Sequence, residues 1–461
     1  MAFPDFTLCF SKLTRREFIG RMSIAALAAH PLLGALGCSR SNPYPQPRPG
    51  DTYCSRGYEL PHAQDSDKLA VFLGSEHLDF HLDGWFFFGD LVQGTEARPS
   101  LADIGTFFMA MQRIEIDVGL GVPVPFFPSI VAFNGNSTNG YIFGAFPAVD
   151  LAVFGVEVKE NPWSVTVNWF GQVVSMALTA GKMGAPGAIY RLYADLLDFN
   201  NKNIRAEVLI RDRLGSVSQG YGTASFFPQF LVEEQRKIIM DSFGGSVPAY
   251  LAAGSDPMIC QGSFYYSLPL MDVMNFTIKY EGATLAGGNR GTMWMDYVVQ
   301  TYDGQAQEVL IDKATWQFFA IMFPEAEMAM MVIQIDSATG SLPVASLFTE
   351  AGERARNSSL QAAHSWDVNE IEIRGMGEKW ESPKTRQQYY MQYRIYLASA
   401  TLPGDLTISM LRQNQEIVIP NPDPQKPDTI KYEGEAEVKG SIGNQSVQGV
   451  CFLEVQPAGH Q

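Results

Sequence analysis

Cysteine and histidine are scarce in this chain, and charge is thin. Its 461 residues include five cysteines and six histidines, and 18% are charged. No two cysteines stand at CxxC spacing and no HExxH occurs, so the common zinc motifs are absent. His77 and His81 stand four apart, but Leu78, Phe80 and Leu82 alternate around them. That places both histidines on one face of a strand, and no metal site is expected. Gly-x-Ser-x-Gly is missing, which counts against a serine hydrolase of the α/β kind. There is no long basic run to offset a net charge of −16, so nucleic acid is not an expected partner. The apolar run at 24–36 falls short of the ~20 residues a membrane span needs.

What is present is apolar. Hydrophobic residues make up 46% of the chain, which excludes a disordered protein and supplies two cores. The first residues read as an address. Thr14-Arg15-Arg16-Glu17-Phe18-Ile19 precedes the apolar run and resembles a twin-arginine export signal. The other reading is a general secretory signal with Arg15 and Arg16 adjacent by chance. Leu33-Gly34-Ala35-Leu36-Gly37-Cys38 resembles a lipoprotein box, with Cys38 as the acylated residue; the other reading is plain cleavage there. Lipidation would tether the protein to the outer or inner membrane as an exported, periplasmic lipoprotein. Ser39, with no acidic residue beside the cysteine, favours the outer membrane. Four basic and two acidic residues leave with residues 1–37, which takes the net charge from −16 to −18. Residues 39–55 read as a tether, rich in Pro, Ser and Arg at the start. Cys54, Cys260 and Cys451 then remain, enough for one disulfide at most.

The body reads as strands. Ile114, Ile116 and Val118 alternate with charged residues, as do Ile371 and Ile373. Val165 and Val167 alternate with polar residues, as do Leu406, Ile408 and Met410. Tyr432, Gly434, Ala436 and Val438 alternate with Lys431, Glu433, Glu435, Glu437 and Lys439. Each pattern predicts one face on a core and one on solvent. Many short antiparallel strands mean an all-β protein of barrels or sandwiches. One segment departs: 228–250 opens on Pro228, carries an amphipathic pattern and passes Gly244-Gly245, so a short helical insertion is expected there. The stretch 122–128 (Val-Pro-Val-Pro-Phe-Phe-Pro) reads as a greasy loop that either lines an entrance or packs on a wall. Gly287 to Gly291 read as a turn and not a phosphate loop. Asp195 and Asp198 read as a strand end and not a glycosidase pair.

Several stretches, in order, carry a resemblance. They are Asp83-Gly84-Trp85-Phe86-Phe87-Phe88-Gly89-Asp90-Leu91 with Phe107-Phe108-Met109-Ala110-Met111-Gln112-Arg113, and Phe264-Tyr265-Tyr266-Ser267. Gly291-Thr292-Met293-Trp294-Met295-Asp296 follows, then Trp316-Gln317-Phe318-Phe319. Trp380-Glu381-Ser382-Pro383-Lys384-Thr385 comes next, with Tyr389-Tyr390. The closing pair is Tyr432-Glu433-Gly434 and Gly449-Val450-Cys451-Phe452-Leu453-Glu454. Together they resemble the lipocalin-like carotenoid 1,2-hydratase (hydroxyneurosporene synthase) superfamily. It also holds secreted-hydrolase and attachment-operon proteins, a kievitone hydratase and lipocalin-like Diels–Alderases.

The resemblance implies two lipocalin-like antiparallel β-barrel domains side by side, with a ligand in or between them. Their expected extents are 56–282 and 283–461. It also implies an apolar isoprenoid, lipid or polyketide substrate and no metal or organic cofactor. A carboxylic acid would protonate a carbon–carbon double bond and aromatic walls would face the cation; hydration, isomerisation or cyclisation would follow. By position Asp296 is the expected acid, with Glu454 as the second carboxylate. Trp294, two residues from Asp296, shares its face. Tyr265 and Tyr266 point to opposite faces, so one of them joins the acid, and Tyr266 is chosen. Trp85, Tyr265, Trp294, Trp316 and Phe318 are the expected ligand wall. The other reading of Trp294 and Asp296 is a buried structural pair. Where relatives carry a polar residue after Trp-Met-Asp, this chain has Tyr297-Val298-Val299, so the donor is Asp296 alone or Tyr297. Three functions follow: such an enzyme, a non-catalytic periplasmic carrier of a hydrophobic molecule, or an accessory lipoprotein with an export-system partner.

Overall fold

Strand formation follows from the alternating patterns. The computed structural model describes residues 53–55, 58–59, 82–94, 99–117, 123–135, 138, 140–146, 156–160, 162–198, 200–219, 263–300, 315–337, 340–349, 364–419 and 429–457. Arg15, Arg16, Cys38, the two spaced histidines and the helix expected at 228–250 lie outside them.

The first sheet contains β1 (Leu82–Val92), β2 (Ile104–Asp117), β3 (Pro123–Phe126), β4 (Ser129–Asn134), β5 (Ile142–Phe146), β6 (Val156–Glu160) and β7 (Trp163–Trp169). It continues with β8 (Gln172–Ala180), β9 (Ile189–Leu197), β10 (Asn203–Asp212), β11 (Val217–Ser218), β12 (Ser263–Tyr280), β13 (Ala283–Gly288) and β14 (Arg290–Gln300). The second contains β15 (Thr315–Phe323), β16 (Met328–Ser337), β17 (Gly340–Thr349), β18 (His364–Trp366) and β19 (Ile371–Glu381). It ends with β20 (Gln388–Leu397), β21 (Gly404–Met410), β22 (Glu416–Ile419), β23 (Thr429–Ile442) and β24 (Gln445–Gln456).

Both sheets are antiparallel, curled into half-barrels and set side by side. The first runs β5-β4-β2-β1-β14-β12-β10-β9-β8-β7-β6 and the second β18-β17-β16-β15-β24-β23-β21-β20-β19. In each, the opening strand pairs with the closing one: β1 with β14, and β15 with β24.

Three apolar clusters result. One fills the concave side of the first sheet, around Phe87, Phe107, Trp163, Val165, Tyr190 and Ile210. Another fills the second sheet, around Phe319, Ile321, Val332, Ile395 and Val438. The third lies between the sheets, where Phe88, Phe108 and Trp294 meet Phe318, Met331 and Phe452. Phe88 stacks on Phe452 with centroids 4.5 Å apart. Strands β1, β2 and β14 are therefore buried on both faces. Their sequences are accordingly almost unbroken apolar runs, as in Phe107-Phe108-Met109-Ala110-Met111.

Residues 412–415 pin the halves together. The Arg412 guanidinium donates to the carbonyls of Leu101 (2.8 Å) and Ile104, and Asn134 donates to Asn414 O at 2.8 Å. Gln415 accepts from Thr106 Oγ1 at 3.2 Å and from the Glu435 amide at 2.9 Å. Tyr141 donates its hydroxyl proton to the Glu433 carbonyl.

Three expectations are corrected here. The division between sheets does not fall at 282: β13 and β14 pair with β12 and β1, so 283–300 belong to the first sheet. Glu281 and Gly282, which read as a boundary, are a hairpin turn with φ of 49° and 82°. The proline-rich stretch is also part of a sheet. β3 pairs with the end of β2 off the main strand path, where missing N–H groups are tolerated, and Phe127 after it is packed in the first core. Finally, the charged face of β23 is not solvated. Glu433 and Glu435 are each 1% exposed and belong to the face directed between the halves. Cys451 is buried and free.

Candidate functional site

β14 carries Trp294 and Asp296 on the face that meets the second sheet. Ser267 of β12 is the direct cross-strand partner of Asp296, and Tyr265 lies two residues before it on the same face. The Ser267 hydroxyl donates to Asp296 Oδ1 at 2.5 Å, and the Trp294 indole donates to the same oxygen at 2.5 Å. The Tyr265 hydroxyl donates to Oδ2 at 3.0 Å. Behind Ser267, the Gln219 amide donates to its Oγ at 2.9 Å, which turns the serine proton onto the carboxylate.

This arrangement makes the two oxygens unequal. Oδ1 faces an indole that can only donate and a serine whose proton is committed. Oδ2 faces only a phenol, which can donate or accept. A proton on Asp296 therefore belongs on Oδ2. Asp296 is 1% exposed, and burial pushes its pKa up to about 7 against the pull of its three donors; Glu454 adds to the rise. Burial, then Asp296 and Glu454, push the Tyr265 phenol well above its ordinary value.

The second sheet supplies the opposite side. Phe318 of β15 stands 6.1 Å from Tyr265 between ring centroids, and its cross-strand partner is Glu454 of β24. The Trp316 indole donates to Glu454 Oε1 at 2.9 Å, and Lys431 Nζ donates to the same oxygen at 2.7 Å. Lys431 also lies 5.6 Å over the Trp316 ring. Burial works against the lysine charge, but Glu454 and Glu433 together outweigh it and hold the ammonium above its ordinary pKa.

The structure thus brings together Asp296, Trp294, Tyr265, Glu454, Trp316 and Phe318. It does not bring in Tyr266 or Trp85. Tyr266 lies on the opposite face of β12, in the first core, 6.5 Å from Tyr297. The choice between the two tyrosines is thereby corrected in favour of Tyr265. Trp85 stacks on Tyr297 at 5.2 Å and meets Trp163 at 6.3 Å, also inside the first core. The reason is parity: Trp85 pairs with Tyr297, Phe86 pairs with Asp296, and the even residues face the second sheet. Tyr297 points away from Asp296 for the same reason and is not its proton-donating alternative.

Ser267, Gln219, Lys431 and Glu433 were not among the site residues expected from the sequence. Ser267 carried a signal, since it ends the tyrosine strand at the right parity. Lys431 and Glu433 were concealed as a solvent face.

Other carboxylates serve the frame. Glu416 accepts from Ser382 Oγ (2.6 Å), Thr385 Oγ1 (2.7 Å) and the Tyr389 hydroxyl (2.7 Å), so the Trp380–Thr385 motif is a turn clamped to β22. Asp195 is held by Arg205 and Asn203, and Asp198 caps the turn before β10, as a strand end should be. Among the described residues no group of three or more His, Cys, Asp or Glu could hold a metal ion.

No protein-family model and no curated protein matches the sequence. Solved structures do. A protein assigned to AttH from Nitrosomonas europaea superposes with a TM-score of 0.53 at 15% identity, over 83% of this chain and 94% of that one. Kievitone hydratase from Nectria haematococca gives 0.48 at 13% identity, over 82% and 90%. CghA with Sch210972 gives 0.45 at 12% identity, over 82% and 90%. The first likeness shows the fold, and the two β-barrel domains expected side by side are present as two curled half-barrel sheets. The chemistry has to be argued from the residues.

Proposed function

We propose that this chain is an exported lipocalin-like protein that uses Asp296 as a general acid on an apolar, unsaturated isoprenoid, lipid or polyketide. The observation that carries the reading is the state of Asp296. It is a buried carboxyl that remains substantially protonated near neutral pH, with its Oδ1 locked and its Oδ2 left to one phenol. A carboxylic acid in an apolar site has its ionised form disfavoured, which keeps it in the acid form, with a proton to deliver, near neutral pH.

In the proposed step, Oδ2–H adds its proton to one carbon of a double bond and the electron pair of that bond forms the new C–H bond. The cation left on the other carbon faces Trp294, Tyr265 and Phe318, whose ring faces attract positive charge. Water then adds and loses a proton, a neighbouring C–H gives one up, or a second double bond closes a ring and the new cation loses a proton from an adjacent C–H. The proton released returns the carboxylate to its acid form. Proton transfer and cation stabilisation are all this chemistry requires, so no cofactor enters the proposal. Arg15-Arg16 and Cys38 would deliver and anchor the protein, and the partner is a hydrophobic small molecule.

The test starts with protein purified from its native host. Native and then denaturing mass spectrometry identifies any retained small molecule. That molecule is then incubated with protein in D₂O. One deuterium per product molecule, lost in Asp296→Asn while the ligand still binds, supports the acid. Deuterium incorporation unchanged in Asp296→Asn overturns it. A ligand retained by both proteins with no reaction in either favours a carrier.

A further inference from the structure

Glu433, whose charge reaches the Tyr265 hydroxyl bonded to Asp296, is a carboxyl left unsatisfied among the described residues. It is 1% exposed, yet its Oε2 has no hydrogen-bond partner among the described residues. Its Oε1 lies 3.9 Å from Lys431 Nζ, too far for a hydrogen bond. The lysine is committed to Glu454 at 2.7 Å. Buried carboxyls in folded proteins are nearly always hydrogen-bonded, and an orphan in such a place calls for a partner.

Its position indicates what that partner touches. Glu433 is the cross-strand neighbour of Glu454 and shares the inward face of β23 with Lys431. The Tyr265 hydroxyl, bonded to Asp296, also feels the charges of Glu454 and Glu433. The orphan therefore belongs to the same site as the acid, on the side supplied by the second sheet. Trp294, Tyr265, Phe318 and Trp316 belong to the apolar cluster between the sheets on which this site lies.

We propose that Glu433 anchors an oxygen atom of the substrate, hydroxyl or carbonyl, while Asp296 acts on its double bond. The substrate class is then an oxygenated apolar molecule and not a bare hydrocarbon. This rests on the reading of Asp296 above. Burial, reinforced by Glu454 and opposed by Lys431, pushes the Glu433 carboxyl well above its ordinary pKa and favours its protonated form. A protonated Oε2 donates to a carbonyl or hydroxyl oxygen, and a hydrocarbon would leave it buried and unpaired.

Trp294 and Trp316 make intrinsic fluorescence a binding readout. Farnesol, farnesal and β-farnesene share a carbon frame and differ in oxygen. The full-length protein is expected to bind farnesol and farnesal at least about tenfold more tightly than farnesene. Glu433→Gln keeps a donor and should retain most of that preference; Glu433→Leu should erase it. Equal affinity for the three in wild type overturns this inference and leaves the acid reading standing. A preference that survives in Glu433→Leu also overturns it, since the oxygen, or a water on Glu433, is then held by other means. Binding of none of the probes overturns this inference and leaves the acid reading to its deuterium test. Should Glu433→Leu fail to fold, the carbonyl stretch of bound farnesal decides. Donation from the Glu433 acid lowers it, and the weaker amide donor of Glu433→Gln moves it part of the way back; an unmoved stretch overturns the proposal.

Discussion

Replacing Asp296 by Asn should change how stability depends on pH. Burial raises the folded-state pKa of Asp296 from 3.8 to about 7. Between those values the folded protein binds the proton and the unfolded chain does not. Stability therefore falls as pH rises through this window, and the loss is complete above the folded value. Three units at about 1.36 kcal/mol each give roughly 4 kcal/mol, of which about 3 lies between pH 4.5 and 8.5. Asn has no charge to desolvate. Its Oδ1 can accept from Ser267 and Trp294 as the acid does, and its amide can donate to Tyr265. The variant should match the wild type near pH 4.5, apart from a fixed offset, and exceed it by about 3 kcal/mol more at pH 8.5. Urea titrations of both proteins across this range measure the difference, and the buried acids that do not interact with Asp296 cancel because both proteins have them. A gap that stays constant with pH would refute the reasoning: the three donors would then outweigh burial, and Asp296 would be an ordinary carboxylate.

Four further outcomes are expected. Gly89→Ala should cost more than about 3 kcal/mol in a thermal melt, because its Cβ would stand 2.1 Å from Thr292 O at a φ of +151°. Tyr389→Phe removes one of three hydroxyls from Glu416 and should cost about 1.5–3 kcal/mol in urea, with the fold intact by circular dichroism. Arg412→Ala cuts the contacts to Leu101 and Ile104, and calorimetry should show the single transition separating into two. Trp85→Leu should lower stability by about 3 kcal/mol yet leave probe affinity within twofold, because Trp85 packs in the first core and not at the site.

Strand identity and the inward members of most strands were legible in the sequence, because a period of two survives wherever one face is wet. Val165 and Val167 are buried as their spacing required, and so are Leu406 and Ile408. Where both faces are covered the pattern loses that meaning. Nothing in Lys431-Tyr432-Glu433-Gly434-Glu435 indicates that its charged side faces another sheet, since charge beside apolar residues is the ordinary mark of a wet face. Parity along one strand grouped Trp294 with Asp296. Parity between strands depends on register. The shift between Leu268 and Met271 and the long separation of β12 from β1 hid which tyrosine and which tryptophan belonged with the acid. The hairpin at Glu281-Gly282 posed as a domain boundary because a tight turn and a linker use the same residues.

The seam in each half-barrel has a kinetic consequence. β1 is among the first strands to emerge from a ribosome, and its partner β14 follows roughly 200 residues later; β15 likewise waits for the closing hairpin. Until then the apolar rows of β1 and β2 have neither a seam partner nor a second sheet to cover them. A chain cut short before residue 445 would lack β24 and leave β15 with an open edge, the kind of surface that recruits other strands. Removal of residues 445–461 should therefore produce aggregates and not a smaller soluble protein. Each half-barrel therefore closes only when the last strand of its own sheet arrives.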